Sequence, residues 1–270
     1  AGQVDSYFAV LTRAMLAGLL FLPLLRIRLL PRPVVPGLLV VGALQFGVTY
    51  ICLYQSFEYI SVPEVLLFTI FTPLHVALID DLLNRRFSLG PLVAAAIAVL
   101  GAGIMRYDGL SDSFIRGFLI LQLANFTFAA GQVGYAHLVR RYELTPTQQW
   151  RGFGLFFIGA LMVMLPAWLL LGNPERLPHT TLQWSVLAWL GLVASGLGFL
   201  FWNRGAAQVD AGTLGIMNNA LVPAGLLVNL LIWNHDADLL RLAAGSAVIG
   251  LSLWVNARWT RWFGSRPARP

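Results

Sequence analysis

Apolar residues run along this 270-residue chain in long blocks rather than in alternation with polar ones. Nine blocks stand out, at residues 7–25, 34–53, 62–79, 89–105, 114–138, 153–171, 182–201, 214–233 and 239–259. Each is close to the roughly 20 residues that an α-helix needs to cross about 30 Å of hydrocarbon. A membrane β-barrel would show segments of about 10 residues with every second position polar. These blocks are apolar on every side, which predicts an all-α fold, a polytopic membrane bundle with nine visible spans. The connections are short, so no soluble domain fits between spans.

Composition agrees: the chain is 58% hydrophobic and 11% charged, with a mean hydropathy of +0.73, whereas soluble domains carry roughly 25% charged residues. The net charge of +6 would suit a nucleic-acid partner, but its distribution argues against one. All 18 basic residues are arginines. If the spans alternate in direction, one side receives 13 of them, from Arg26 to Arg269, and the other receives Arg106, Arg116, Arg176 and Arg241, with Arg13 inside the first span. That asymmetry places the arginine-rich side and the C-terminus in the cytoplasm. No basic segment precedes the first apolar run, so no signal peptide is read there. Cys52, the one cysteine, lies inside the second block and reads as a small core residue.

Two segments look alike when displaced by 150 positions: "SFEYISVPEVLLFTIFTPLHVALI" from Ser56 and "AAQVDAGTLGIMNNALVPAGLLVN" from Ala206. Each has a polar break, a small residue and a span with a proline halfway along, Pro73 in the first and Pro223 in the second. "AVLGAG" at Ala98 and "AVIGLS" at Ala247 extend the likeness. The pattern predicts two homologous halves, residues 1–109 and 110–270, the second inverted in the membrane as in many secondary transporters. The second half has five spans and the first four, so the expected parent has ten.

The segments "YFAVLTRAMLAGLLFLPLL", "GALQFGVTYICLYQSFEYISVPEVLLFTIFTPL", "AIAVLGAGIM" and "GLGFLFWNRGAAQVDAGTLGIMNNALVPAGLLVNLL" resemble the EamA-type exporters of the drug/metabolite transporter superfamily, over nearly the whole chain. The resemblance implies ten helices in two inverted five-helix repeats around a central cavity, with cytoplasmic termini. It also implies export of amino acids or related metabolites across the bacterial inner membrane. "TRAMLAG" resembles part of the family's second helix, so the first of the ten is expected to be missing from this chain.

Glu64, Phe68, Phe71 and His75 fall at i, i+4, i+7 and i+11 and so share one predicted helical face. Ionisable groups in a span usually face a bundle interior or a water-filled path. Glu64 therefore reads either as a site for a substrate amine or a proton, or as a cap after Pro63. His75 reads as a relay or as a hydrogen-bonded core residue. Pro73 and Pro223 each remove a backbone hydrogen bond near mid-span and free a carbonyl there, which makes them the hinge candidates. Asn218 and Asn219 lie about two turns in from the cytoplasmic end of the helix that carries Pro223, and Gln122 and Asn125, three apart, face the same way. Tyr50 and Trp202 complete the candidate substrate-binding set, with Gln45, Tyr54 and Asn203 as further polar positions. Arg13 reads mainly as a structural residue paired with backbone carbonyls or a carboxylate. Ala14 with Gly18, and Gly191 with Ser195, read as close-packing pairs.

No phosphate-binding Gly-rich loop, metal-ligand cluster or Gly-x-Ser-x-Gly elbow is present, so neither ATP hydrolysis nor common hydrolytic chemistry is supported. No catalytic residue, metal or cofactor is predicted. The predicted function is secondary transport, exporting small organic solutes by alternating access, with multidrug or organic-cation export as the alternative. A membrane-embedded enzyme or a lipid-handling protein ranks lower, since Glu64 and His75 would lie about 16 Å apart along a helix. The expected partners are a small-molecule substrate and the bilayer, not nucleic acid, and the plan works as a monomer.

Overall fold

The computed structural model describes residues 4–61, 64–65, 68–85, 87, 89–106, 114–220, 224 and 239–263. Among the described residues there is no strand, and nine helical elements carry the chain. They are α1 (Ser6–Phe21), α2 (Val34–Ser56), α3 (Thr72–Leu83), α4 (Leu89–Arg106), α5 (Phe114–Arg141), α6 (Pro146–Leu171), α7 (Thr181–Ala206), α8 (Ala211–Asn219) and α9 (Leu239–Phe263). Four of them, α1 extended to Leu24, α2, α6 and α7, are long and apolar enough to cross a membrane. The fold is that of a polytopic helical membrane protein. The predicted spans at 62–79 and 214–233 fall only partly on described residues, and Pro223 lies outside them.

Helix starts follow from local side chains. The Asp5 carboxylate accepts the Phe8 N–H at 2.7 Å to open α1. Thr145 with Gln148 and Thr180 with Gln183 form reciprocal capping boxes at α6 and α7. Two helices contain a stretch wound to π geometry, Ala43–Val48 in α2 and Leu190–Leu197 in α7. Moved by the 150-residue displacement, 43–48 becomes 193–198, which overlaps the second stretch. In α2 the wider turn is braced by the Thr49 hydroxyl, which donates to the Leu44 carbonyl at 2.9 Å. Such insertions recur at functional sites, because they swing the following side chains around the helix axis.

Packing divides the chain into two compact units, Ala1–Glu58 with Ala130–Gln208, and Tyr59–Ala129 with Val209–Pro270. Each draws on both sequence halves, so packing and the proposed repeat at 109/110 divide the chain differently. In the first unit α1 packs on α6 and α7, and α2 packs on α6. The core there is aromatic: Phe21, Phe46, Phe153, Phe156 and Phe157 are fully buried, with ring centroids 5.0–6.0 Å apart. Helices α2 and α6 approach to backbone contact, since a Cβ on Gly42 would strike the Phe156 carbonyl and one on Gly159 the Leu39 carbonyl. Large apolar side chains point away from that core, among them Met162, Leu170 and Trp189 at 66%, 81% and 60% exposure, which suits lipid rather than water.

One end of this unit is cationic. Arg26 donates its backbone N–H to the Arg151 carbonyl at 3.0 Å, and Gln148 reaches the Leu29 carbonyl at 2.8 Å, tying the α1–α2 loop to the start of α6. Arg140 donates to the Ala206 and Ala207 carbonyls at the C-terminal end of α7, where a cation complements the helix dipole. In the second unit α9 lies along α4, and α8 packs on α3 and α4. There a Cβ on Gly215 would sit 3.2 Å from the Pro73 backbone, so α8 rests directly on the proline turn.

Candidate functional site

In the second unit the span predicted as one helix is broken. Thr69–Phe71 forms a 3₁₀ turn, and α3 restarts at Thr72 with Pro73 in its first turn. Pro73 has no N–H to give the Thr69 carbonyl. Thr72 replaces it, donating both its backbone N–H and, at 2.7 Å, its hydroxyl to that oxygen. Neighbouring helices serve the carbonyls on either side. Asn125 and Gln122 of α5 donate to the Phe68 carbonyl at 2.9 and 3.2 Å, and Asn219 of α8 donates to the Ile70 carbonyl at 3.0 Å. A break at membrane depth persists only where such partners exist. The structure thus brings Gln122, Asn125, Asn219, Phe68 and Pro73 together.

Other predicted residues are placed differently. Asn218 donates to the Leu214 carbonyl of its own helix at 2.9 Å rather than to the break. Glu64 is 5% exposed, and its Oε2 accepts both the backbone N–H and the hydroxyl of Ser61 at 2.7 Å, a capping arrangement at the start of the span. At the start of α8 Asp210 is the N-cap, accepting the Thr213 N–H at 2.9 Å and hydroxyl at 2.8 Å. Partial burial works to raise the Asp210 pKa, but hydrogen bonds from Asn256 and Thr213 outweigh it and hold the carboxyl below its ordinary value. The aromatic stripe packs on α5: Phe68 and Phe71 meet the Phe118 ring edge-on at 5.0 and 5.9 Å, and His75 meets Phe126 at 6.2 Å. The His75 Nδ1 also lies 3.2 Å from the Phe71 carbonyl.

The first unit holds a second polar cluster, built where the π stretch of α7 packs on α1 and where Phe46 and Tyr50 of α2 reach Arg13. Arg13 Nε donates to the Ser195 hydroxyl at 3.0 Å, and Nη2 donates to the Tyr50 hydroxyl at 3.0 Å. Its guanidinium carbon lies 5.0 Å from the Tyr50 ring centroid and 6.0 Å from that of Phe46. Ser195 belongs to the π stretch of α7, Phe46 to that of α2, and Tyr50 follows Phe46 by one turn. The expected pairing of Arg13 with a carboxylate or backbone carbonyl is not what the structure shows: its partners are neutral hydroxyls and ring faces. The π geometry turns Ser195 and Tyr50 toward the arginine, which a regular helical reading could not foresee. Gly191 allows this approach, since a Cβ there would come within 2.8 Å of Leu16 on α1.

Trp202, also predicted, donates its Nε1–H to Gln132 Oε1 at 2.9 Å. Gln132 escaped the sequence reading, although it lies seven residues beyond Asn125 and so on the same helical stripe. Gln132 Nε2 and both amide atoms of Gln45 are buried without a hydrogen-bond partner among the described residues. Asp80 and Asp81, each 6% exposed in α3, were likewise not singled out. Their signal was an acidic pair closing an apolar run.

A relative from Pseudomonas aeruginosa named "Probable biotin transporter" is 65% identical over 256 residues, covering 95% of this chain and 89% of that protein. "Biotin transporter" proteins of Escherichia coli K12 and Salmonella typhimurium are each 51% identical over 260 residues, covering 96% of this chain and 86% of theirs. The EamA-like transporter family profile matches residues 1–107. The chain belongs to the EamA-like transporter family. EamA-like proteins are members of the drug/metabolite transporter superfamily, and this one is a membrane transporter rather than an enzyme. A crystal structure only 18% identical superposes over 96% of this EamA-like chain and 90% of its own with a TM-score of 0.77, which shows the fold. The names of the relatives carry biotin and not amino acids, so they lend amino-acid export no support.

Proposed function

We propose that this chain carries biotin across the bacterial inner membrane by alternating access, as a secondary transporter. The observation that carries the reading is identity of 65% and 51% to proteins named as biotin transporters, over 95–96% of the chain. The geometry supports it. The break at Thr69–Phe71, held by side-chain amides, provides a hinge at Pro73 whose bonds are made by groups able to exchange partners. Pro223 is the corresponding hinge of the second repeat, and residues 1–109 and 110–270 are the repeats. The arginine-rich loops of the sequence and the C-terminus face the cytoplasm in this reading. The organic-cation alternative leaned on Glu64, whose carboxylate caps its own helix.

The test is flux of radiolabelled biotin in proteoliposomes containing the purified chain, read in both directions, with amino acids and a cationic dye in parallel. Saturable biotin flux above protein-free vesicles supports the reading. Flux of an amino acid or the dye with none of biotin would overturn it.

A further inference from the structure

We propose that Arg13 and Tyr50 form the subsite that receives the carboxylate of the transported acid. The inference rests on the biotin reading, because biotin ends in a carboxylate that is ionised at neutral pH. It also rests on a charge balance that the protein leaves open. Arg13 lies two turns into an apolar helix, where a guanidinium is costly unless an anion accompanies it. No carboxylate pairs with it among the described residues. Two of its N–H donors go to the hydroxyls of Ser195 and Tyr50, and its remaining close partners are the Tyr54 hydroxyl and the faces of Tyr50 and Phe46.

Those hydroxyls position the group without neutralising it. A guanidinium has five N–H donors, and Ser195 and Tyr50 each accept one of them. The Tyr50 oxygen accepts from Arg13 and keeps its own proton to donate. An arriving carboxylate therefore meets an N–H and an O–H aimed from one place, with the full charge of Arg13 behind them. The Tyr50 ring, its centroid 5.0 Å from the guanidinium carbon, and the hydroxyl of Ser195, fully buried in α7, hold the group from two sides. Arg13 joins α1 to both π-wound helices, so filling the subsite stabilises the arrangement in which α1, α2 and α7 converge.

The experiment compares biotin with biotin amide, in which the carboxylate is replaced by a neutral carboxamide. Each unlabelled compound competes against radiolabelled biotin in proteoliposomes containing wild type, Arg13→Gln, Arg13→Lys or Tyr50→Phe. For wild type the acid competes better than the amide by about tenfold or more, the size of one charge-assisted hydrogen bond. In Arg13→Gln that preference collapses toward unity, Arg13→Lys retains part of it, and Tyr50→Phe lowers it severalfold. An equal effect of acid and amide on wild type overturns the subsite while leaving biotin transport standing. So does an undiminished preference in Arg13→Gln. Should Arg13→Gln not yield a monodisperse protein, Tyr50→Phe decides, and a full acid preference in it overturns the proposal. Absence of wild-type biotin flux is a different result and overturns the functional reading itself.

Discussion

Asn218 and Asn219 are neighbours of the same residue type, yet the structure gives them different work, and replacing each by leucine separates the two roles. Leucine keeps the branched heavy-atom outline of asparagine without its donor, so the change removes hydrogen bonding, and its bulkier methyl groups add the same volume at both positions. Asn219 is 2% exposed and donates across helices to the Ile70 carbonyl at 3.0 Å, inside the stretch that Pro73 breaks. Removing that donor takes one interhelical bond from a buried carbonyl, about 1–2 kcal/mol, the upper part of the range for membrane helices. With roughly 2–4 °C of Tm per kcal/mol in a protein of this size, Asn219→Leu loses about 2–8 °C. Asn218 donates at 2.9 Å to the Leu214 carbonyl one turn back in its own helix. Asn218→Leu therefore costs about 0.5 kcal/mol or less. Thermal unfolding of the detergent-solubilised variants, followed by tryptophan fluorescence, measures both. If Asn218→Leu lowers Tm as far as Asn219→Leu does, the assignment of the carbonyl partner is wrong.

The Phe68 carbonyl has two donors, so Gln122→Leu and Asn125→Leu each cost little alone. The double variant costs more than their sum, a coupling of about 0.5 kcal/mol or more in the same unfolding assay, and additive losses count against a shared acceptor. Gly42→Ala forces a Cβ against the backbone carbonyl of Phe156, which cannot swing aside, and lowers stability by about 1–3 kcal/mol. Gly205→Ala, with nothing within 4 Å of its added Cβ, leaves Tm unchanged or raises it slightly, and equal losses at the two sites would refute the packing argument. Asp210→Ala removes the cap of α8 and costs about 0.5–2 kcal/mol at neutral pH. Because the folded carboxyl binds its proton less readily than the unfolded one, this stabilisation is complete above the ordinary carboxylate pKa and is lost as pH falls through the lower folded value. The Tm gap between wild type and Asp210→Ala accordingly narrows on acidification, and a gap that widens would contradict the sign.

Much of the fold was legible because the bilayer removes alternatives. Backbone groups in hydrocarbon must bond within their own segment, so apolar blocks of the right length had to be helices, and the block boundaries followed. Pro73 announced a break by simple subtraction of one N–H. Gln122, Asn125 and Asn219 were legible as candidates for the same reason: an amide in a span has to find a partner.

Their partners were not legible, because pairing depends on helix rotation and on the turns that change it. The 3₁₀ turn at Thr69–Phe71 swings α3 relative to the residues before it, and the stripe from Phe68 to His75 rests against Phe118 and Phe126 of α5. Two π stretches rotate Tyr50 and Ser195 onto Arg13, and no periodicity of 3.6 anticipates that. Hydropathy along one dimension therefore settles which segments enter lipid and which polar groups enter with them. Which of those groups meet is settled by local departures from helical geometry, because a single extra or missing backbone bond re-aims every side chain beyond it.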